Sequence, residues 1–174
     1  MTSTTRLAQL LQDRGWTLAT AESCTGGLVA AACTELPGSS NWFERGFVTY
    51  SDESKVELLG VDAASIVAHG AVSEAVVRAM ARGAIRHSPA RVSVAVTGIA
   101  GPAGGSKEKP VGTVWFGFMV DGLLTSEMKR FDGDRAAVRR DTVEHALAGL
   151  VELLDQATIM SPNGRRGAGP TGGA

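Results

Sequence analysis

At 174 residues, with 44% hydrophobic and 20% charged side chains, the chain fits one domain with a single sizeable core in ordinary globular proportions. Seventeen Lys and Arg against 18 Asp and Glu leave a net charge of -1, which lacks the basic excess of a general nucleic-acid or anionic-membrane binder. The start, MTSTTRLAQLLQDRG, lacks the apolar run of a signal peptide, and no window approaches the roughly 18 apolar residues of a membrane span.

In chain order, Leu7, Leu10 and Leu11 give helical spacing to residues 4–14, with Gly15 as the stop. A short strand over 16–21 runs into Glu22-Ser23, after which Gly26-Gly27 opens a small-residue helix, LVAAACTEL, ended by Pro37-Gly38. The aromatic and β-branched stretch 42–50 predicts a strand. SDESKVELLG predicts a helix capped by Ser51 or Asp52 and stopped by Gly60, with a second short helix over 62–68. A longer helix starts at Ser73-Glu74, with Val77, Met80, Ala84 and Ile85 on one side. RVSVAVT reads as an alternating strand that enters the Gly- and Pro-rich loop GIAGPAGGSKEKPVG. Two strands follow, TVWFGFMV and LLTSEMKRF, and Asp121-Gly122 between them signals a hairpin. The last helix begins near Asp132–Asp134, with Val138, Val143, Ala146, Leu147, Leu150 and Leu154 as its apolar stripe. Residues 1–160 are expected to form the domain, and 161–174 a flexible Gly-rich tail. Intermingled helices and strands with a hairpin predict an α/β fold, a mixed sheet covered by helices on both faces.

Three segments carry residue types that packing alone does not demand. In Glu22-Ser23-Cys24-Thr25-Gly26-Gly27 a hydroxyl lies at a strand-to-helix turn, beside backbone N–H groups suited to a phosphate or an oxyanion. The competing role is an N-cap at Ser23 or Thr25, with glycines for close packing. In Tyr50-Ser51-Asp52-Glu53-Ser54-Lys55, a lysine beside an apolar helix face can lose solvation and serve as a base for a serine. The competing role is a solvated lysine paired with Asp52 or Glu53. The loop from Thr97 through Gly98, Gly101, Gly104 and Gly105 follows a strand, where α/β proteins hold ligands, although a plain long turn is equally compatible. Cys24 and Cys33 are too few for a disulfide framework and suit buried thiols. His69, His87 and His145 are dispersed without metal-ligand spacing, so no metal is expected. Arg130, Arg135, Arg139 and Arg140 gather near the start of the last helix, able to grip a phosphate or to form a solvated face.

Taken in order, AESCTGG, PGSSNWFERGFVTYS with Lys55 and LLGV, HGAVSE, VTGIAGPAGG, KPVGTVWFGF and FDGDRAAVRR resemble the CinA C-terminal domain family over residues 5–157. The resemblance implies a single three-layer α/β/α domain, a homo-oligomer, and an enzyme without cofactor or metal, while the charged N-terminus and the two cysteines lead to the expectation of a cytoplasmic protein. It also implies the hydrolysis of nicotinamide mononucleotide, a small-molecule nucleotide substrate, to nicotinate mononucleotide and ammonia. Carried onto this chain, it makes Ser23 the nucleophile, Lys55 its base and Tyr50 a group that steers a proton or the amide. Backbone N–H groups around Thr25, Gly26 and Gly27 would hold the oxyanion. The Thr97 to Gly105 loop would accommodate the nucleotide, with Arg135 or a neighbour on its phosphate. The alternative is a non-catalytic nucleotide-binding or regulatory module of the same family.

Overall fold

The computed structural model describes residues 1–160, with side chains to 158; the tail expected over 161–174 lies outside the described residues. The elements run α1 (Ser3–Gln12), β1 (Leu18–Glu22), α2 (Leu28–Thr34), a 3-10 turn (Ser39–Asn41), β2 (Phe43–Val48), α3 (Asp52–Leu59), α4 (Ala63–His69) and α5 (Glu74–Arg86). They continue with β3 (Val92–Gly98), β4 (Thr113–Val120), β5 (Leu123–Arg130) and α6 (Arg135–Met160).

Local chemistry sets most of these boundaries. Ser51, Asp62 and Ser73 each accept a backbone N–H at the start of α3, α4 and α5, which satisfies donors that have no partner within the helix. At the end of α1, Gly15 takes φ +63° while Trp16 and Gly15 donate back to Leu11 and Gln12, a Schellman stop. The Asp121-Gly122 turn is left-handed at both residues, with φ of 48° and 86°, so it closes the β4–β5 hairpin with the twist the strands need.

The strands form one sheet in the order β2-β1-β3-β4-β5. β1 pairs in parallel with both β2 and β3, whereas β4 runs antiparallel to β3 and to β5, giving the expected mixed sheet. Alternation assigns the faces. Val92, Val94 and Val96 of β3 join Val114, Phe116, Phe118 and Val120 of β4 in a core shared with α1, α2 and α6. Ala19, Ala21 and Ala95 point to the opposite core, under α3, α4 and α5. At the stripe of the longer helix, Val77, Met80 and Ala84 are buried and Ile85 is half-buried.

The chain leaves β1 towards β2 on one side and returns to β3 on the other. The carboxyl ends of β1 and β3 are therefore neighbours whose onward connections diverge. Such a switch point opens a crevice where open α/β sheets hold ligands.

Candidate active site

Ser23 follows β1 directly and occupies this crevice. Its N–H donates to the Val96 carbonyl of β3 (3.1 Å), and its own carbonyl accepts from the Gly26 N–H (3.0 Å). The second turn, closed from the Leu28 N–H to the Thr25 carbonyl (3.2 Å), has Gly26 and Gly27 at its centre with φ of +58° and +105°. That left-handed pair is why two glycines stand there: a side chain at either would be strained.

Neither Ser23 nor Thr25 caps α2, whose N-cap is Gly27 without a side-chain bond. The capping role expected of those hydroxyls falls to Glu22, only 1% exposed. Its carboxylate accepts from the Val29 N–H (2.8 Å), the Ala30 N–H (3.0 Å) and the Thr25 hydroxyl (2.6 Å). A carboxylate at a helix N-terminus satisfies orphan donors and opposes the positive end of the dipole. The start of α2 is thus occupied by the protein's own anion. Sequence reasoning passed over Glu22; the available signal was a carboxylate at the buried end of a strand, next to a turn that lacks a cap.

Lys55 reaches Ser23 from α3. It is 1% exposed, and its Nζ lies 3.1 Å from Ser23 Oγ, 2.7 Å from the Thr49 carbonyl and 3.4 Å from the carbonyls of Tyr50 and Ser51. The solvated pairing with Asp52 or Glu53 is replaced by burial among backbone carbonyls. Loss of solvation lowers the Lys55 pKa from the ordinary lysine value, and the nearby Asp52 and Cys24 oppose that shift. A neutral amine has two N–H groups for the carbonyls and one lone pair, which can accept the Ser23 proton.

Cys24, beside Ser23, is poorly suited to nucleophilic attack. Burial pushes its thiol up to about 11, Glu22 adds to the rise, and its own backbone N–H, Arg139 and Arg135 only partly oppose it. Thiolate, the reactive form, is then scarce at neutral pH. Both cysteines are free and buried, as expected.

Around this pair lies a cavity of about 280 Å³, at the small end of ligand clefts. Ser23, Cys24, Tyr50, Asp52 and Lys55 line it, together with Thr97, Gly98, Gly101 and Gly104 and with Ala71, Val72 and Arg135. Thr97 donates to the Ala71 carbonyl (2.9 Å), tying the end of β3 to the α4–α5 connection. Arg135, at the start of α6, donates to the Gly101 carbonyl (2.9 Å) and to the Tyr50 hydroxyl (3.0 Å). Tyr50 is accordingly a rim residue, 60% exposed, rather than core.

Thr25, Gly26, Gly27 and Gly105 do not line the cavity. Thr25 is buried against Glu22, the Gly26 N–H already serves the Ser23 carbonyl, and Gly105 packs close to the Val111 backbone. Ala71 and Val72 line it without having been singled out, since neither carries a polar side chain, and Asp52, read as a cap or a partner for Lys55, lines it as well. Among the described residues, no group of three His, Cys, Asp or Glu gathers as a metal site. A larger cleft, about 560 Å³ around Arg6, Arg14 and Trp16, contains no serine or cysteine.

Comparison with known proteins gives a consistent picture. The model of the CinA C-terminal domain matches residues 1–154. The chain is 51% identical over 156 residues to the nicotinamide-nucleotide amidohydrolase PncC of Escherichia coli (strain K12), covering 88% of this chain and 93% of that one. It is 53% identical over 152 residues to the protein of the same name from Pseudomonas putida, covering 87% and 95%. Among solved structures, a competence-damaged protein (CinA) superfamily protein from Klebsiella pneumoniae superposes with a TM-score of 0.85 at 43% identity, over 88% of this chain and 96% of that one.

Proposed function

This chain belongs to the CinA C-terminal domain family, and from that premise we propose that it is a nicotinamide-nucleotide amidohydrolase using Ser23 and Lys55. The observation that carries the mechanism is the buried contact of 3.1 Å between Lys55 Nζ and Ser23 Oγ at the bottom of the cavity. A nucleophile within hydrogen-bond reach of an amine whose pKa is lowered is the arrangement that serine activation requires.

In the first half-reaction Ser23 Oγ attacks the carboxamide carbon as its proton passes to Lys55. The Cys24 N–H, next to the nucleophile and beyond the β1 ladder, supports the developing oxyanion. The Lys55 ammonium then returns its proton to the departing nitrogen, and ammonia leaves a nicotinoyl ester on Ser23. In the second half, Lys55 takes a proton from water, whose oxygen attacks the ester carbon. The acid product departs as that proton returns to Ser23, and it ionises in water to the carboxylate. Arg135 brings positive charge to the cavity wall for the substrate phosphate, and Tyr50, held by Arg135, flanks the amide end.

The short Ser23–Lys55 distance favours catalysis over the non-catalytic module. No described helix is long and apolar enough to cross a membrane. A homo-oligomer in the cytoplasm completes the proposal, and light scattering on the purified chain reads the assembly. The deciding experiment is ammonia release from nicotinamide mononucleotide by wild type and Ser23→Ala. Loss in a folded variant supports reaction and nucleophile together. Retention moves the attack to water or Cys24, and an inactive wild type removes the amidohydrolase.

A further inference from the structure

Arg139 stands one helical turn beyond Arg135 on α6, yet it does not line the cavity. Its Nε donates to the Cys24 carbonyl and its Nη2 to the Thr25 carbonyl, each at 3.2 Å. Val138 and Thr142, both fully buried, seat this part of the helix in the core. The guanidinium therefore holds the backbone of the nucleophile turn, with its planar fork divided between two successive peptide groups.

Peptide planarity gives this grip a chemical consequence. In a trans peptide the C=O and the next N–H point in opposite directions. With the Thr25 carbonyl held by Arg139, the Gly26 N–H faces the other way, where it donates to the Ser23 carbonyl (3.0 Å). With the Ser23 carbonyl held in turn, the Cys24 N–H is directed away from it. Three consecutive peptide planes are thereby oriented from α6, and the last carries the donor beside the nucleophile.

We infer that Arg139 is a positioning residue that sets the peptide planes of the Ser23 turn, aligning the serine hydroxyl and the Cys24 N–H for attack on the amide. This rests on the amidohydrolase reading. Because Arg139 lies outside the cavity and touches neither Lys55 nor substrate, it acts on turnover, and neither substrate affinity nor the ionisation of the base depends on it.

The test compares wild type, Arg139→Met and Arg139→Lys in three measurements: kcat and KM for nicotinamide mononucleotide against pH, thermal melting, and the rate at which a fluorophosphonate labels Ser23 by intact mass. Arg139→Met is expected to lower kcat about 10- to 100-fold, the scale of a misplacement of about 1 Å. KM stays within about twofold, since uniform binding is untouched. The acid limb of kcat/KM keeps its wild-type position, and the labelling rate falls with kcat. Arg139→Lys, which restores the charge and one donor, recovers part of both. Unchanged kcat overturns the inference, as does a rise in KM alone, which would make Arg139 a phosphate ligand. Loss that follows melting below the assay temperature in both variants also overturns it. If wild type releases no ammonia, the amidohydrolase reading fails on its own, and the labelling rates still decide: slower labelling of Arg139→Met upholds the positioning role. Equal rates, or no labelling of wild type, overturn it.

Discussion

At Lys55, burial and carbonyl contacts act in opposite directions. The carbonyls of Thr49, Tyr50 and Ser51 welcome an ammonium, while exclusion from water favours the neutral amine, and the balance lowers the pKa. A base with a lowered pKa works only above it, so activity falls as pH drops through the folded value, giving an acid limb below the ordinary 10.5. Asp52 is one of the charges that oppose the shift, so Asp52→Asn moves that limb to lower pH. Lys55→Met and Lys55→Arg both remove the limb and reduce kcat by about 100-fold or more, the scale of general-base catalysis, because a guanidinium does not surrender its proton. A pH–rate profile of the three variants checks this. From the sequence, Lys55 was legible as a lysine beside an apolar helix face, but its burial was not. The 3.1 Å contact exists because parallel pairing of β1 with β2 brings residues 32 positions apart to one sheet end.

Among the elements, α2 depends most on tertiary structure. Its seven residues are too few to be stable alone, and its N-terminus is satisfied from β1 by Glu22. Glu22→Gln is expected to destabilise the protein by about 1–2 kcal/mol through the weakened cap, and to slow turnover because the Thr25 contact loosens. Urea denaturation with kcat on the same samples measures both. The α3–α5 packing is equally exacting. A Cβ at Gly83 of α5 would stand 2.2 Å from the Leu59 carbonyl of α3, so Gly83→Ala forces the helix that carries Lys55 away. A loss of about 1–3 kcal/mol is expected, as for other overpacked cores, together with reduced kcat, read by melting and steady-state assay. The cap at Ser51, the helix start at Ser73, the Gly15 stop and the Asp121-Gly122 turn were readable because each is a local signal, whereas Asp62, read as part of its helix, caps it instead. The cap of α2 was not, since the residue supplying it lies outside the helix and reaches it through space.

At the scale of the whole molecule, two buried thiols couple stability to alkaline pH. Burial raises Cys24 to about 11 and Cys33 to about 12 from 9.0, with Glu22 adding to both. The folded protein thus holds those protons more tightly than the unfolded chain. Their contribution is fully present below pH 9 and is lost as pH rises through 11 and 12. Lys55 runs the other way, with stability gained as pH rises from its lowered folded value towards 10.5. Between pH 9 and 11 the two thiols lower the unfolding free energy, on the order of a few kcal/mol, and Lys55 opposes that decline. Cys33→Ala flattens the decline, and denaturation between pH 8 and 11 measures it. The three-layer architecture was readable as a whole because intermingled elements with one hairpin leave few alternatives. The strand order was not, since nothing local records which strands become neighbours.

The reversal of direction after β3 has a consequence for how such an enzyme can change. With no helix needed to carry the chain into an antiparallel neighbour, the 99–112 connection stays at the cavity end of the sheet and contributes to the cavity wall. Ser23 and Lys55 therefore belong to stretches of chain separate from this wall, with the β1–β3 ladder and Arg135 among the links between them. Insertions or exchanges in the wall can alter which amide enters while the proton-transfer pair stays in place, so substrate range and chemistry can drift independently.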